Sequence, residues 1–252
     1  MGFVAAVYGI VCYVIFLCSF LYAIGFVGGV FVPKSIDSGH SGAPVVALVI
    51  DLLLLGAFAV QHSVMARPGF KAVWTKIVPR SIERSTYVLF SSLLLGLLFW
   101  QWRPLPATLW NISPSRKLGM LLTGLFWLGW VILLLATFMI NHFDLFGLRQ
   151  VYLRLRGLDY SPPRFTQRAF YRIVRHPIML GFLIAFWATP HMTYGHLVFA
   201  IATTGYILVG IALEEHDLSA ALGAQYQAYR SSVPMLIPRL FRRQRPPRVI
   251  AP

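Results

Sequence analysis

"MGFVAAVYGIVCYVIFLCSFLYAIGFVGGVFV", residues 1–32, decides the fold. It carries no charged side chain, and a helix needs only about 20 apolar residues to cross a hydrocarbon core about 30 Å thick. The stretch lacks a basic n-region and far exceeds the core of a signal peptide, so it reads as a spanning helix that stays in place. Similar runs follow near 43–66, 84–101 and 116–140, and a pair near 177–190 and 195–213. Hydrophobic residues make up 58% and charged residues 12% of the chain; soluble domains carry about 25% charge, which excludes that class. The pattern predicts an all-α, polytopic integral membrane helical bundle of five to six transmembrane helices, with both termini on one side. Six is the preferred count. The run at 177–190 is short and the turn "TPHMTYG" is tight, so five is the alternative.

The formal net charge of +14 is sorted by loop before any partner is inferred. Segment 67–84 holds five basic residues, segment 149–175 seven arginines and segment 230–248 six. This asymmetry is the positive-inside signature, so these segments are expected on the cytoplasmic face against anionic headgroups of the lipid bilayer. Nucleic acid is not needed as a partner. The Pro/Arg-rich end, 240–252, is expected to be a mobile basic tail. Cys12 and Cys18 lie six apart on different faces of one helix, supporting neither a disulfide framework nor a thiolate metal site.

Ionisable groups at membrane depth are costly unless paired or hydrated, which makes each a functional candidate. Asp51 lies inside the second run, with Gln61 and His62 near its basic end. Eleven residues at 100° each return close to the starting direction, so Asp51 and His62 share a face about 16 Å apart along the axis. The alternative for Asp51 is a structural hydrogen bond to a neighbouring helix. "NHFDLFG" brings Asn141, His142 and Asp144 to the same depth as His62, and "ALEEHDL" adds Glu214, Glu215, His216 and Asp217. No metal site is expected, because His142 and Asp144 are two apart and no HExxH is present.

"YRIVRHPIMLG", residues 171–181, then places two arginines ahead of an apolar helix. Pro177 suits the first helical turn, with His176 at the entrance. The helix N-terminus with Arg172 and Arg175 makes a receptor for a carboxylate or phosphate. Glu214 and Glu215 suit an ammonium or ribose hydroxyls, and Tyr171, Tyr226 and Tyr229 offer faces for a cation or purine. A membrane-surface anchor is the plainer reading of the same arginines.

The order R-H-P, a membrane hairpin, E-E, then Y, Y and V-P over residues 171–238 resembles the C-terminal half of the isoprenylcysteine carboxyl methyltransferase superfamily, which includes the NnrU-like proteins. That resemblance implies an S-adenosylmethionine site at the cytoplasmic face, with cofactor roles for Tyr171, Arg172, Arg175, His176, Pro177, Leu180, Gly181, Glu214, Glu215, Tyr226, Tyr229 and Arg230. "NHFDLFGLRQVYL" and the stretch from Arg175 to Leu218 are similar to the methanethiol S-methyltransferase branch. This implies a bacterial inner-membrane enzyme, facing the cytoplasm, that methylates a small volatile thiol, methanethiol, to dimethyl sulfide. His216 departs from the pattern, which has arginine after the glutamate pair. On this reading 1–140 forms the substrate side and 141–239 the cofactor site; oligomeric state stays open.

An alkyl thiol is mostly protonated at neutral pH, so a base is expected. His62 and His142 are the candidates, with Asp51 or Asp144 orienting the imidazole. Phe58, Phe138 and Trp187 are expected in a small dry substrate pocket. The rival readings are a methyltransferase of a lipid or protein carboxylate, and a non-enzymatic NnrU-like transporter or module. Transport would call for ionisable groups strung across the bilayer midplane, where only Asp51 is deep.

Overall fold

The computed structural model describes residues 2–163, 165 and 167–238. Five of its helices are long and apolar enough to cross a membrane: α1 (Gly2–Gly28), α2 (Pro44–Ala66), α4 (Arg80–Gln101), α5 (Arg116–Ile140) and α9 (Tyr194–Leu222). The other helices among the described residues are α3 (Pro68–Trp74), α6 (His142–Leu145), α7 (Leu148–Leu155), α8 (Pro177–Trp187) and α10 (Ala224–Ser232), with a single 3-10 turn at Ala169–Arg172. The expected tail at 240–252 lies outside the described residues.

The preferred count of six spans gives way to five. α8 has 11 residues, about 16 Å at 1.5 Å per residue, roughly half of what a crossing requires. Pro190 is the cause: the residue before a proline is driven out of the helical region, so the chain leaves the helix at Ala188 and runs extended. Backbone exposed in this way at membrane depth must find partners inside the protein. It finds them in the connector between α4 and α5, where β1 (Thr108–Asn111) pairs antiparallel with β2 (His191–Thr193). Ile112 N–H donates to Pro190 O at 2.7 Å, Tyr194 N–H to Ala107 O at 2.9 Å and Trp110 Nε1–H to Thr189 O at 3.2 Å. A half-length helix and an extended strand thus replace the fifth span, and this part of the chain still runs from one end of the bundle to the other.

Small residues set how closely α8 lies on α5. A Cβ on Gly181 would sit 2.6 Å from Gly129 O and 2.8 Å from Leu133 N, and one on Gly129 would meet Gly181 O and Ala185 N at 2.7 Å. Above this contact an aromatic core fills the bundle, built on Phe26, Phe99, Trp102, Phe126, Trp130, Phe186 and Phe199. The core lies toward the end that holds β1 and β2. The opposite end, where α2, α5 and α9 finish and α4 and α8 begin, carries most of the described basic residues, and the polar clusters around His62, His142 and Glu215 lie there.

Prolines and one glycine shape that basic end. Pro68 forces Arg67 into an extended conformation (φ −71°, ψ 140°), which separates α2 from α3. Asn141 stops α5, and its Oδ1 accepts from Asp144 N–H at 3.2 Å to start α6. Gly147 has φ +87°, and a Cβ there would lie 2.7 Å from Ser85 N. Only glycine allows both the left-handed turn and that approach to α4.

Candidate functional site

Two backbone bonds place the RHP segment. Arg175 N–H donates to Pro234 O at 2.9 Å and His176 N–H to Met235 O at 3.2 Å, which ties the entrance of α8 to the chain after α10. The Arg175 guanidinium then points at α9. Its Nε and Nη2 reach Glu215 Oε1 at 2.8 and 2.7 Å, and its Nη1 donates to the Arg230 and Val233 carbonyls at 3.0 and 2.5 Å. Arg230 Nε approaches the other carboxylate oxygen, Glu215 Oε2, at 3.2 Å.

His176 joins the same network through both ring nitrogens. Nε2 lies 3.1 Å from Glu215 Oε1 and Nδ1 lies 3.5 Å from Glu214 Oε2. Burial pushes its pKa down, but the hydrogen bonds and charges of Glu214 and Glu215 outweigh burial and leave it raised. An imidazole that faces a carboxylate on each side is favoured as the two-proton cation. Three cations therefore converge on Glu215, while Glu214, among the described residues, pairs with His176 alone and keeps 49% of its side chain exposed.

This corrects the expected division of labour. Arg175 and Glu215 were assigned to opposite ends of a zwitterionic ligand, yet they neutralise one another, with side chains 8% exposed each. The carboxylate left with capacity for a ligand is Glu214. Arg172 also stays out of the network: it is exposed, and its Nε donates to Gln167 O at 3.0 Å. Gly181 faces α5, as described above, while Leu180 packs beside Ile207, Ile211 and Met235. Pro177 is buried in the first turn of α8.

The three tyrosines surround this network. Tyr229 donates its O–H to Tyr171 O at 2.7 Å, and Tyr171 O–H reaches Ala136 O on α5 at 3.4 Å. Burial pushes the Tyr226 and Tyr229 phenols up to about 12 and raises Tyr171 further. Tyr226 is 1% exposed, yet its buried phenol oxygen has no partner among the described residues. A cleft of about 430 Å³ opens beside Glu215 between α9 and α10. Leu208, Ile211, Ala212 and Met235 form its apolar wall, and Glu215, Gln227 and Arg230 supply polar groups. Its size falls in the range of small-molecule sites.

The two candidate histidines sit in separate pockets built to one plan. His142 Nε2 lies 2.8 Å from Tyr13 Oη and its Nδ1 2.9 Å from Thr137 Oγ1, with Phe138 stacked on the ring at 4.2 Å and 5°. His62 Nε2 lies 2.8 Å from Tyr87 Oη and its Nδ1 3.2 Å from Ser91 Oγ, with Phe58 stacked at 5.2 Å. Burial lowers the pKa of His142, which keeps it uncharged at neutral pH.

The expected carboxylate–histidine pairs are not formed. Asp51 is buried at the far end of α2, where its Oδ1 accepts from Arg103 N–H at 2.9 Å and helps terminate α4. Asp144 takes Arg149 at 3.0 Å and the Tyr160 O–H at 3.2 Å, and it turns away from the imidazole next to it. Hydroxyls take the expected place of the carboxylates. The sequence reading missed Tyr13, Tyr87, Ser91 and Thr137 because hydroxyls are common and cheap inside apolar helices, so nothing marked them out. Trp187 belongs elsewhere as well, with its Nε1–H on Thr204 Oγ1 at 2.9 Å. His196 is buried in the first turn of α9 and pairs with Phe186 O at 2.9 Å.

A helical membrane protein with one polar, cation-rich face beside a cleft is the class that fold and site define. The chain belongs to the NnrU protein family, whose pattern it matches over residues 50–234. It is 57% identical to the methanethiol S-methyltransferase of Mycobacterium tuberculosis over 237 residues, covering 94% of this chain and 96% of that one. It is also 57% identical to methanethiol S-methyltransferase 2 of Bradyrhizobium diazoefficiens, covering 94% and 91%. Nurim of Xenopus laevis is a more distant relative, 31% identical with 67% of this chain covered. No solved structure matches.

Proposed function

We propose that this protein transfers a methyl group from S-adenosylmethionine to methanethiol, forming dimethyl sulfide. The observation that carries the reading is the 57% identity, spread over 94% of the chain, to proteins named for that activity. We place the protein in a bacterial inner membrane with its basic end toward the cytoplasm, where the donor is made, following the loop charges.

The residues at the basic end fit such a donor. It bears an adenosine, an ammonium and a carboxylate, and the site offers a buried phenol at Tyr226 with no partner among the described residues, a half-exposed carboxylate at Glu214 and, nearby, a cleft with Arg230 and Gln227 on its polar side. When bound, S-adenosylmethionine supplies an electrophilic methyl on a sulfonium. Glu214 would hold the ammonium and Arg230 the carboxylate, with Tyr226 donating to the nucleoside. Arg175, His176 and Glu215 would act as the frame that fixes α8, α9 and α10 around it. On the acceptor side a thiol must lose its proton on the way to attack, and His142, uncharged at neutral pH, is the stronger candidate to receive it. Phe138 and Phe146 flank that imidazole and exclude water from it.

Headspace gas chromatography of the purified protein in detergent, given S-adenosylmethionine and methanethiol, tests the reading. Dimethyl sulfide is expected from the wild type, and calorimetry should show the donor bound. A protein that binds the donor without releasing dimethyl sulfide would be a methyltransferase of another acceptor, such as a carboxylate. Failure to bind it would remove the proposal altogether.

A further inference from the structure

Which atom faces the thiol follows from where the protons around His142 must lie. Thr137 Oγ1 is 2.6 Å from Leu134 O. Two oxygens approach that closely only with a proton between them, and a carbonyl has none, so the hydroxyl hydrogen of Thr137 is directed there. Toward His142 Nδ1, at 2.9 Å, Thr137 can then only accept. Nδ1 therefore carries the proton. The uncharged ring has its one lone pair on Nε2, and that lone pair accepts from Tyr13 O–H at 2.8 Å.

The imidazole has no free edge left for a substrate. Both nitrogens are engaged, Phe138 covers one face, Phe143 and Phe146 stand at 5.5 and 4.8 Å, and the residue is 5% exposed. Tyr13 is partly exposed. A proton bound for His142 has to pass through it.

We infer that Tyr13 is the group that meets the thiol, relaying its proton to His142. The thiol S–H proton passes to Tyr13 Oη as the phenolic proton passes to His142 Nε2. The thiolate electron pair forms the new S–CH3 bond as the sulfonium S–CH3 bond breaks, leaving S-adenosylhomocysteine and an imidazolium that returns its proton to solvent. Thr137 is the positioning residue, since it fixes which nitrogen is free. This rests on the proposed thiol methylation.

The second tyrosine–histidine pair sets the contrast. Ser91 Oγ donates to the Tyr87 carbonyl at 3.0 Å or to Gln61 Oε1 at 3.3 Å, so His62 has the same wiring. There, however, the phenol is the enclosed partner: Tyr87 is 6% exposed, with the Arg84 guanidinium 5.0 Å above its ring. Among the described residues the charged groups around His142 are Asp144 on α6 and Arg149 on α7, which pair with each other, and the titratable neighbours include Tyr13 on α1 and Tyr171 beyond Ala136.

The test is Tyr13→Phe, assayed at neutral pH with methanethiol and with methaneselenol, an acceptor already ionised there. Loss of about 100-fold or more with the thiol is expected, the usual scale for a lost proton acceptor, with the selenol rate within about threefold of wild type. Raising the pH should restore part of the thiol rate. NMR of the protein carrying 15N-histidine should find His142 protonated at Nδ1, with the Nε2 resonance displaced in Tyr13→Phe, while calorimetry finds donor affinity unchanged. Equal loss with both acceptors, no loss with either, an Nε2–H tautomer, or the selenol-spared pattern in Tyr87→Phe instead would each overturn the assignment. A wild type that binds the donor but methylates neither acceptor would overturn the underlying reading, independently of any variant.

Discussion

The two ends of the bundle handle buried polar groups in opposite ways. At the far end the bonds that form close structural gaps: Asp51 takes the Arg103 N–H, Trp102 Nε1–H reaches Ile36 O, His196 takes Phe186 O, and the Thr193 hydroxyl bonds Asp37 Oδ1, while Asp51 Oδ2 and His196 Nδ1 find no partner among the described residues. Those partners are mostly main chain, and they hold connectors where helices stop. At the basic end side chain meets side chain, charges gather around Glu215, Glu214 stays half exposed, and the Tyr226 phenol has no partner among the described residues. An ionisable group deep in a membrane protein is thus a poor guide to function by itself. What sets the basic end apart is the gathering of cations on Glu215 beside a cleft.

The comparison breaks most sharply at Glu215. Glu215→Ala leaves Arg175, His176 and Arg230 facing one another, with Arg175 buried. Removing one partner of a buried ion pair costs about 3–5 kcal/mol, so methyl transfer measured by gas chromatography should be abolished and the denaturation midpoint in detergent should fall steeply. Glu214→Ala should separate binding from folding. It should weaken donor affinity by calorimetry and leave the midpoint nearly in place.

Gly181→Ala comes next. Its Cβ would overlap Gly129 O and drive α8 off α5, a packing clash of about 1–3 kcal/mol. Because α8 begins at the RHP segment, thermal stability and donor affinity should drop together. Gly56→Ala, at a site with open space around the glycine, should change neither. At the far end Asp51→Leu leaves the Arg103 N–H without an acceptor, at about 1–3 kcal/mol. The midpoint should fall while turnover per folded molecule stays within about twofold; a large loss of turnover would mean that Asp51 is not confined to structure.

Hydropathy made the five long helices and the basic end legible, because length and loop charge are properties of composition along the chain. It could not show that the fifth run breaks. Ala188, Thr189 and Pro190 are apolar or neutral enough to extend the run, and the decisive fact is that Pro190 ends the helix and the connector carrying Trp110 moves in to pair with the exposed backbone. Asp51 and His62 both turn toward α4 or its end, yet what Asp51 binds is a main-chain N–H 52 positions away, which no side-chain pattern encodes. The RHP and glutamate motifs did mark the residues that meet. Which of them are spent on one another depends on distances of a few tenths of an ångström.

The smallest expected effect is also the most specific to the basic end. His176 has its pKa raised in the folded protein: burial opposes this, and Glu214 and Glu215 prevail. A group of that kind adds stability that is complete below its unfolded value, about 6.5, and is lost as pH climbs through the raised value. The denaturation midpoint should therefore decline from near neutral pH upward, with proton uptake on folding in that window. His142, held uncharged by burial, acts in the other direction: its contribution is lost as pH falls, because the unfolded ring binds a proton that the folded one resists. His176→Gln should remove only the alkaline limb and His142→Gln only the acid one. If His176→Gln left the alkaline limb intact, the imidazole between the two glutamates would not be the cation that its geometry requires, and Glu215 would be neutralised by the arginines alone.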